Sequence, residues 1–264
     1  MNYIIMDLEW NNSYMKSTKK FINEIIEIGA VKLDEQLKEI DTFSELIKPV
    51  VSRKLRSRIK NLTHITNDDI KAGKPFSKVI EDFEKWVGED AVFLTWGDTD
   101  IRTLLSNIKT FLKKDDITFL RKYADLQRYC QCFINMENIQ QAGLSYAAEC
   151  LQIDAEKFPH HRALDDSLLS AECFKKTFNA EKLNEFIKEC NEDFYARLAF
   201  HPYVIKHKDD PLIDKNIFNC YCDICGGKVK TIKKWKFCNQ SFRGIFFCEN
   251  CNREFRVSLR IKKF

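Results

Sequence analysis

Residues 2–10 read NYIIMDLEW, an apolar run of β-strand composition that two carboxylates interrupt. Side chains alternate between the two faces of a strand, so Asp7 and Glu9 share one face and lie about 7 Å apart along it. Acidic side chains are seldom buried unless they have partners. The pattern therefore predicts a buried strand that directs two carboxylates toward one functional point.

The first 180 residues alternate between strand and helix patterns. Residues 24–34 (EIIEIGAVKLD) and 39–50 (EIDTFSELIKPV) predict a hairpin of two further strands. The other predicted elements are helices near 52–60, 66–72 and 76–86, a strand at 90–96, a helix to about 112, a strand near 120–126, and helices near 126–135, 143–151 and 161–178. This order predicts an α/β domain with a mixed central sheet flanked by helices.

A second acidic motif, TWGDTD at 95–100, follows a predicted strand at its carboxyl end. Open α/β sheets build ligand sites at such ends. Asp100 shares its helical stripe with Leu104, on the edge of the packing face. Asp98 instead shares its stripe with Arg102, on a charged face. We therefore expect Asp100, rather than Asp98, to point toward the sheet.

A third acidic motif lies in FPHHRALDDSLLSAECF, residues 158–174. Asp166 shares its helical stripe with the small residue Ser170, which suits close packing, whereas Asp165 shares its stripe with Glu172 on a solvent face. Asp166 is therefore the acid expected to point inward. Two histidines precede this helix in a loop, a position that a general base can occupy.

Carboxylates brought together in this way would repel one another unless a cation neutralised them. Oxygen ligands select Mg²⁺ or Mn²⁺, and two such ions are a known arrangement for in-line displacement at phosphorus. A nearby histidine can take a proton from the attacking water. The acidic motifs therefore favour phosphodiester hydrolysis.

The motifs DLEW, GDTD and HRALDD resemble those of the DEDDh, or DnaQ-like, 3′ to 5′ exonucleases, whose fold is RNase H-like. The third motif reads H-x-A-x-x-D, a register that selects His161 over His160 and Asp166 over Asp165. The form of the second motif resembles that of the Eri-type and KapD-like subgroup. The resemblance covers about residues 1–180.

This resemblance implies a role for each matching residue. Asp7 would bridge two Mg²⁺ or Mn²⁺ ions, and Glu9 and Asp166 would help hold the ion that activates water. Asp100 would support the second ion, and His161 would be the general base.

The resemblance also implies contacts with the substrate. The segment LTHIT at 62–66 is similar to the family's segment beside the terminal nucleotide, so Ile65 and Thr66 are candidate contacts, as is Trp10 beside the metals. Each has an ordinary alternative, with Ile65 in the core, Thr66 capping a helix and Trp10 in packing.

Eleven cysteines, with neither a secretory signal pattern nor an apolar run long enough to span a membrane, favour reduced thiols or metal ligands in a cytoplasmic protein. Two C-x-x-C pairs, CDIC and CENC, have the spacing of a zinc ribbon. The expected ligands of one structural Zn²⁺ are Cys222, Cys225, Cys248 and Cys251. Redox-active thiols are the alternative.

Basic charge is concentrated around these cysteines. Residues 220–264 contain 11 Lys and Arg against 3 Asp and Glu, while residues 1–219 contain 32 against 36. Lysines and arginines can hold phosphates while aromatic side chains stack on bases. Lys233, Lys234 and Arg243 are therefore candidate contacts with nucleic acid. A protein-docking module and a solubilising tail are the alternatives.

Together these patterns predict an exonuclease domain at 1–180, a connecting helix and linker at 181–219, and a basic zinc ribbon at 220–264. The expected function is a two-metal 3′ to 5′ exonuclease that releases nucleoside monophosphates from single-stranded 3′ ends, with RNA favoured over DNA and no membrane partner. The alternatives are a single-stranded DNA exonuclease and a regulatory protein that uses the same fold and ribbon for docking.

Overall fold

The computed structural model describes residues 1–134, 141–158, 161–199 and 203–263. The chain divides into two compact units, 1–199 and 200–264. The division falls within 181–219, where the sequence predicts a connecting helix and linker.

A mixed sheet of six strands forms the centre of the first unit. The strands are β1 (Asn2–Met15), β2 (Lys20–Leu33), β3 (Glu39–Leu46), β4 (Ala91–Thr95), β5 (Lys122–Asp125) and β6 (Lys188–Glu189). Their order across the sheet is β3-β2-β1-β4-β5-β6. The β1–β4 and β4–β5 pairs are parallel, and the β1–β2, β2–β3 and β5–β6 pairs are antiparallel.

Helices cover both faces of this sheet. They are α1 (Ser57–Thr63), α2 (Asn67–Ala72), α3 (Phe76–Val87), α4 (Thr99–Asn107), α5 (Leu126–Cys130), α6 (Leu144–Cys150), α7 (Ala163–Thr177), α8 (Ala180–Phe186) and α9 (Glu192–Ala199). A π-helical turn, Ile108–Leu112, continues α4. No helix in the described part of the chain is both long enough and apolar enough to cross a membrane.

The alternation of β1 divides the core between the two faces. Ile4 and Leu8 pack in the cluster that α3 and α4 cover. Tyr3 and Ile5 pack in the opposite cluster, with α5, α6 and α7. Since side chains two residues apart share a face, Asp7 continues the Tyr3 and Ile5 face toward α7.

Two parts of the first unit extend beyond the predicted elements. β1 continues through polar residues to Met15, because Asn11 and Ser13 are buried and pair with β2, which begins at Lys20 after a turn. Residues 181–199 form most of α8, the edge strand β6 and α9 rather than one connecting helix, and they belong to the first unit. Tyr195 of α9 donates hydrogen bonds to the carbonyls of Ile117 and Leu120, which attaches this stretch to the unit.

Gly29 in β2 allows α7 to pack very close to the sheet. A Cβ atom at Gly29 would lie 2.1 Å from the backbone atoms C of Ala163 and N of Leu164. The Ser167 hydroxyl also donates a hydrogen bond to the Gly29 carbonyl, at 3.0 Å. Gly29 pairs with Asp7 across β1 and β2, so the first turn of α7 lies beside Asp7.

The second unit contains a three-stranded antiparallel sheet. Its strands are β8 (Lys230–Cys238), β9 (Ser241–Cys248) and β10 (Arg253–Leu259), in the order β10-β9-β8, and the short strands β7 (Tyr203–Val204) and β11 (Lys262–Lys263) form a separate pair. Phe242 and Phe246 are buried, and the ring of Trp235 lies 5.2 Å from that of Phe246. Part of the aromatic content of the ribbon therefore forms its core.

Gly29→Ala should lower the free energy of unfolding by about 2 to 4 kcal/mol, because the added methyl group would overlap the backbone of α7. Urea unfolding measures this change. Gly143→Ala is the matched control, since open space surrounds Gly143, and its effect should stay within about 1 kcal/mol. An unchanged urea midpoint for Gly29→Ala would contradict the close packing.

Candidate active site and four-cysteine site

Three carboxylates from β1 and α7 converge on one point. Asp7, Glu9 and Asp166 each offer an oxygen atom, and these atoms all lie within 4.8 Å of one another. All three residues are half-buried. The structure therefore brings together three of the four predicted acids, including the one chosen over Asp165 by helical phase.

Asp100, the fourth predicted acid, lies at the start of α4 and is not part of this group of three. It is buried, and its Oδ1 atom has no hydrogen-bond partner among the described residues. Asp98 is exposed by about half and forms an ion pair with Arg102 at 2.9 Å. The inward acid after β4 is thus Asp100, as the helical pattern predicts.

The acidic groups are poised to remain partly protonated when no cation is bound. Burial raises the pKa of Asp7 well above its ordinary value, and the charge of Asp100 adds to that effect. Burial, followed by the charge of Asp166, raises the pKa of Glu9 to about 8. Burial raises the pKa of Asp100 to about 7, although backbone hydrogen bonds oppose this shift. These directions show that the site disfavours its own negative charge.

A divalent cation fits this donor set. The three clustered carboxylates offer only oxygen ligands, which hard cations such as Mg²⁺ and Mn²⁺ prefer. The buried Oδ1 atom of Asp100 lacks a partner that a cation or its water shell could supply. The residues present therefore suit the binding of divalent metal.

Glu27 is an acid that sequence reasoning did not single out. It lies directly opposite Glu9 in the β1–β2 pairing and is 1% exposed. The Nε atom of Arg162 donates to both Glu27 oxygens at 3.1 Å, and the Ala163 N–H donates at 3.2 Å. Glu27 therefore fixes the start of α7 instead of adding an unpaired charge to the site. The available signal was an acid within the apolar run of β2.

His161, the predicted general base, is exposed and immediately precedes Arg162. Its backbone is left-handed, with φ of 68°, a conformation that is uncommon outside glycine and concentrates at functional sites. The His161 backbone N–H donates to the Asp166 carboxylate at 3.2 Å. His161 is thus held beside the acidic group, whereas His160, the neighbouring histidine, lies outside the described residues.

The three candidate substrate contacts near the acids occupy ordinary structural positions. Trp10 is half-buried against the core. Ile65 is buried and packs with Ile26 and other residues in a small cluster. Thr66 caps α2, and its side chain accepts a hydrogen bond from the Asp69 N–H. Their contacts with a nucleotide remain predictions.

Four cysteines of the second unit form a compact group. The Sγ atoms of Cys222 and Cys251 lie 3.8 Å apart, and those of Cys225 and Cys248 lie 3.5 Å apart. A tetrahedral Zn²⁺ with bonds of about 2.3 Å would separate its sulfur ligands by about 3.8 Å. The spacing therefore fits a structural zinc ion.

The backbone around these cysteines also suits metal binding. Gly226 adopts a left-handed conformation, with φ of 67°, and donates its N–H to the Cys222 carbonyl at 2.9 Å. Hydrogen bonds from the backbone of Cys225 and Ile224 lower the pKa of Cys222 to about 7. A thiolate is the form that binds zinc, so this turn favours the liganding state.

The three predicted nucleic-acid contacts of the ribbon are exposed. Lys233 and Lys234 lie on β8, which forms an edge of its sheet, and Arg243 lies on β9. Cys220 and Cys238 are not part of the four-cysteine group.

Comparison with known proteins identifies the first unit. A profile of the exonuclease family (RNase_T) matches residues 4–174. The probable 3′-5′ exonuclease KapD of Bacillus subtilis is 30% identical over 175 residues, which cover 65% of this chain and 82% of KapD. This match confirms the predicted likeness to the KapD-like subgroup. The PolC-type DNA polymerase III of Thermotoga petrophila is 28% identical over 213 residues, 76% of this chain but only 14% of the polymerase.

Among solved structures, the nuclease domain of 3′hExo, a DEDDh family member bound to rAMP, has a TM-score of 0.56 at 22% identity. The likeness covers 72% of this chain and 97% of that domain. It confirms the predicted exonuclease fold. The family profile covers well over half of the chain, and its matched residues carry the three acidic motifs. The chain therefore belongs to the exonuclease family and is an enzyme of its DEDDh type.

Proposed function

We propose that this enzyme removes nucleotides one at a time from single-stranded 3′ ends, using two divalent cations and favouring RNA over DNA. The observation that carries the proposal is the convergence of Asp7, Glu9 and Asp166 within 4.8 Å, beside the buried Asp100. An acidic site of this kind repels a phosphodiester unless metal is bound. The 3′ to 5′ direction is supported by the likeness to KapD, a probable 3′-5′ exonuclease, of which the match covers 82%.

In this proposal, Asp7, Glu9, Asp100 and Asp166 hold the cations. When bound, Mg²⁺ or Mn²⁺ would activate the attacking water and stabilise negative charge on the phosphoryl oxygens. The role of the protein chain is to hold the four acidic side chains in position. β1 sets the spacing of Asp7 and Glu9, and the contact of α7 with Gly29 sets the position of Asp166.

His161 is the proposed general base. Its exposure lets it reach a water molecule at the 3′ end, and its backbone hydrogen bond to Asp166 keeps it next to the acids. An imidazole nitrogen can accept a proton from water, which is the role of a general base. Its departure from the ordinary backbone conformation is consistent with a functional constraint.

The preference for RNA is the finer part of the proposal. The related 3′hExo domain was solved with rAMP bound, which supports a ribonucleotide in the equivalent site. The match to PolC-type DNA polymerases supports DNA as the alternative substrate. Comparison of kcat/KM for RNA and DNA strands of one sequence decides between them.

The ribbon is proposed to hold one structural Zn²⁺ and to retain the substrate strand. Its exposed cations include Lys233, Lys234 and Arg243, and phosphates are their natural ligands. The proposed functional division is an exonuclease domain at 1–180, a connecting stretch at 181–219 whose first part, to residue 199, belongs to the same compact unit, and a ribbon at 220–264. Reduced cysteines of the kind that bind zinc are consistent with the proposed cytoplasmic location.

A docking role for the ribbon is the second candidate function. Ile224 and Ile232 are 64% and 52% exposed. Apolar side chains at the surface are common anchors of protein interfaces. Such a role would accompany catalysis, because the acidic site described above retains its full set of carboxylates.

Asp7→Asn should reduce the release of mononucleotides by on the order of 100-fold or more, because Asp7 is central to the proposed cation site. The assay uses single-stranded RNA and DNA labelled at the 5′ end, with Mn²⁺ present. Asp98→Asn is the matched control, since Asp98 precedes the same helix but pairs with Arg102. A ladder shortened one nucleotide at a time is expected from the wild type.

Full activity of Asp7→Asn would refute the proposed site. Internal cleavage fragments from the wild type would refute the exonuclease mode. The melting temperature of each variant shows whether it folds. Asp7→Asn should not destabilise the metal-free protein, because it removes a carboxylate whose negative charge is disfavoured by burial.

Metal-free protein should lose stability as the pH rises from about 5 to about 8. The pKa values of Asp7, Glu9 and Asp100 are raised in the folded chain, so it retains protons that the unfolded chain releases above about pH 4. Each such proton lowers the free energy of unfolding by about 1.4 kcal/mol per pH unit until the folded-state pKa is passed. Melting curves in EDTA measure this loss.

Saturating Mn²⁺ should remove most of that loss, because a cation binds the deprotonated carboxylates. The double variant Asp7→Asn, Glu9→Gln serves as the control, and its melting temperature should not respond to Mn²⁺. The account is contradicted by a metal-free wild type whose stability increases over this pH range.

Purified protein should contain about one zinc ion per chain, and Cys225→Ser should abolish that content because a tetrahedral site loses one of its four ligands. Metal analysis after dialysis makes the measurement. Cys238→Ser is the matched control, an exposed cysteine of the same unit that lies outside the group. Zinc retained at full content in Cys225→Ser would exclude the four-cysteine site.

A further inference from the structure

A cavity of about 480 Å³ in the first unit is surrounded by positive charge. Four cations line it, Lys48, Arg53, Lys54 and Lys71, with Asp68 the single acid. All four cationic residues are exposed. No hydrogen bond or ion pair to another described residue engages their charged groups. We refer to this feature as the cationic cavity.

The net charge of the cationic cavity is opposite in sign to the net charge of residues 1–219. Residues 1–219 contain 32 Lys and Arg against 36 Asp and Glu, a net negative charge. Residues 48–60, which supply three of the four cations, contain six Lys and Arg and no Asp or Glu. Cations without acidic partners repel one another, and ion pairing would remove that repulsion. An anionic ligand is the simplest way to relieve that cost.

A buried carboxylate holds the loop that carries Arg53 and Lys54. Glu24 in β2 is 2% exposed and accepts the backbone N–H groups of Val50 at 2.6 Å, Val51 at 2.8 Å and Ser52 at 3.2 Å. Burial of a carboxylate is unfavourable unless hydrogen bonds compensate for the lost hydration. Three donors from one loop meet that need, so the loop has a defined position.

Two asparagines attach the same loop further along. Asn11 in β1 is 1% exposed, donates to the Lys54 carbonyl at 3.3 Å and accepts from the Arg56 N–H at 3.2 Å. Asn67 in α2 accepts from the Leu55 N–H at 2.9 Å. The proposed catalysis uses neither Asn11 nor Glu24, so their buried polar groups serve to position this loop.

These anchors lie next to the acidic site along the same strands. Asn11 follows Glu9 by two residues on β1, beyond a bulge in the pairing between Glu9 and Trp10, and it pairs with Glu24 of β2. The helix α2, which supplies Lys71, begins directly after Thr66. The anchoring residues Asn11 and Glu24 are therefore close neighbours of the acidic residues along β1 and β2.

We propose that the cationic cavity binds phosphates of the substrate strand upstream of its 3′-terminal nucleotide. The inference rests on the proposed function, since it assigns the nucleotides on the 5′ side of the cleaved bond. A single strand is a regular series of phosphodiesters, so a strand whose last phosphate lies at the acids presents further phosphates to cations nearby. Because the loop already has a defined position, it loses little backbone entropy when its side chains bind them.

The test uses the double variant Arg53→Gln, Lys54→Gln in the full chain. Both side chains are exposed, and each substitution replaces a cation with a neutral polar side chain, so folding should be retained. The matched control is Lys38→Gln, Lys114→Gln, which removes two exposed lysines outside the cavity. Binding of a single-stranded dodecamer is measured over a range of salt concentrations, in an Asp7→Asn background that prevents its degradation.

The double variant should bind the dodecamer on the order of tenfold more weakly. Its plot of log affinity against log salt should be shallower by about 1.4, since each phosphate contact on a single strand contributes about 0.7 to the slope. With active enzyme, the advantage of the dodecamer over a dinucleotide in kcat/KM should shrink in the same variant, because a dinucleotide has no upstream phosphates.

These experiments test the proposed exonuclease function and the role of the cationic cavity separately. Wild-type protein that releases no mononucleotides would refute the proposed function. Active wild-type protein, together with a double variant whose salt slope equals that of the control, would refute the cationic cavity alone.

Discussion

The close contact between Gly29 and the first turn of α7 is the constraint on which the acidic site depends. Asp7 and Glu9 belong to one strand, so β1 alone fixes their spacing. Asp166 comes from a distant part of the chain and reaches them only because α7 packs with its backbone against a residue that lacks Cβ. The ion pair of the buried Glu27 with the partly exposed Arg162 also holds this turn against β2.

The electrostatics of the site follow from that packing. Carboxylates that are crowded and partly buried disfavour ionisation, as the raised pKa values of Glu9 and Asp100 show. The folded chain therefore carries an unfavourable interaction that a divalent cation bound in the proposed site would relieve. The paired Glu27 shows the contrasting case, in which an acid close to the site is neutralised within the chain.

Sequence patterns predicted the elements of the fold and the acids of the site because both depend on local periodicity. Alternation placed Asp7 and Glu9 on one face, and helical phase selected Asp100 over Asp98. Features that depend on distant contacts could not be read in the same way. The pairing of Glu27 with Arg162 joins residues 135 positions apart, and the anchoring of the loop at 50–52 by Glu24 depends on the registers of three strands. The polar end of β1 is a strand only because β2 pairs with it.

A crystal structure with Mn²⁺ and a nucleoside monophosphate, using the anomalous signal of manganese, tests the central claim most directly. The account predicts two Mn²⁺ ions about 4 Å apart, with Asp7 shared between them and Glu9, Asp100 and Asp166 as the remaining protein ligands. It is contradicted if no manganese lies at Asp7, or if the ions bind the protein without contact to both β1 and α7.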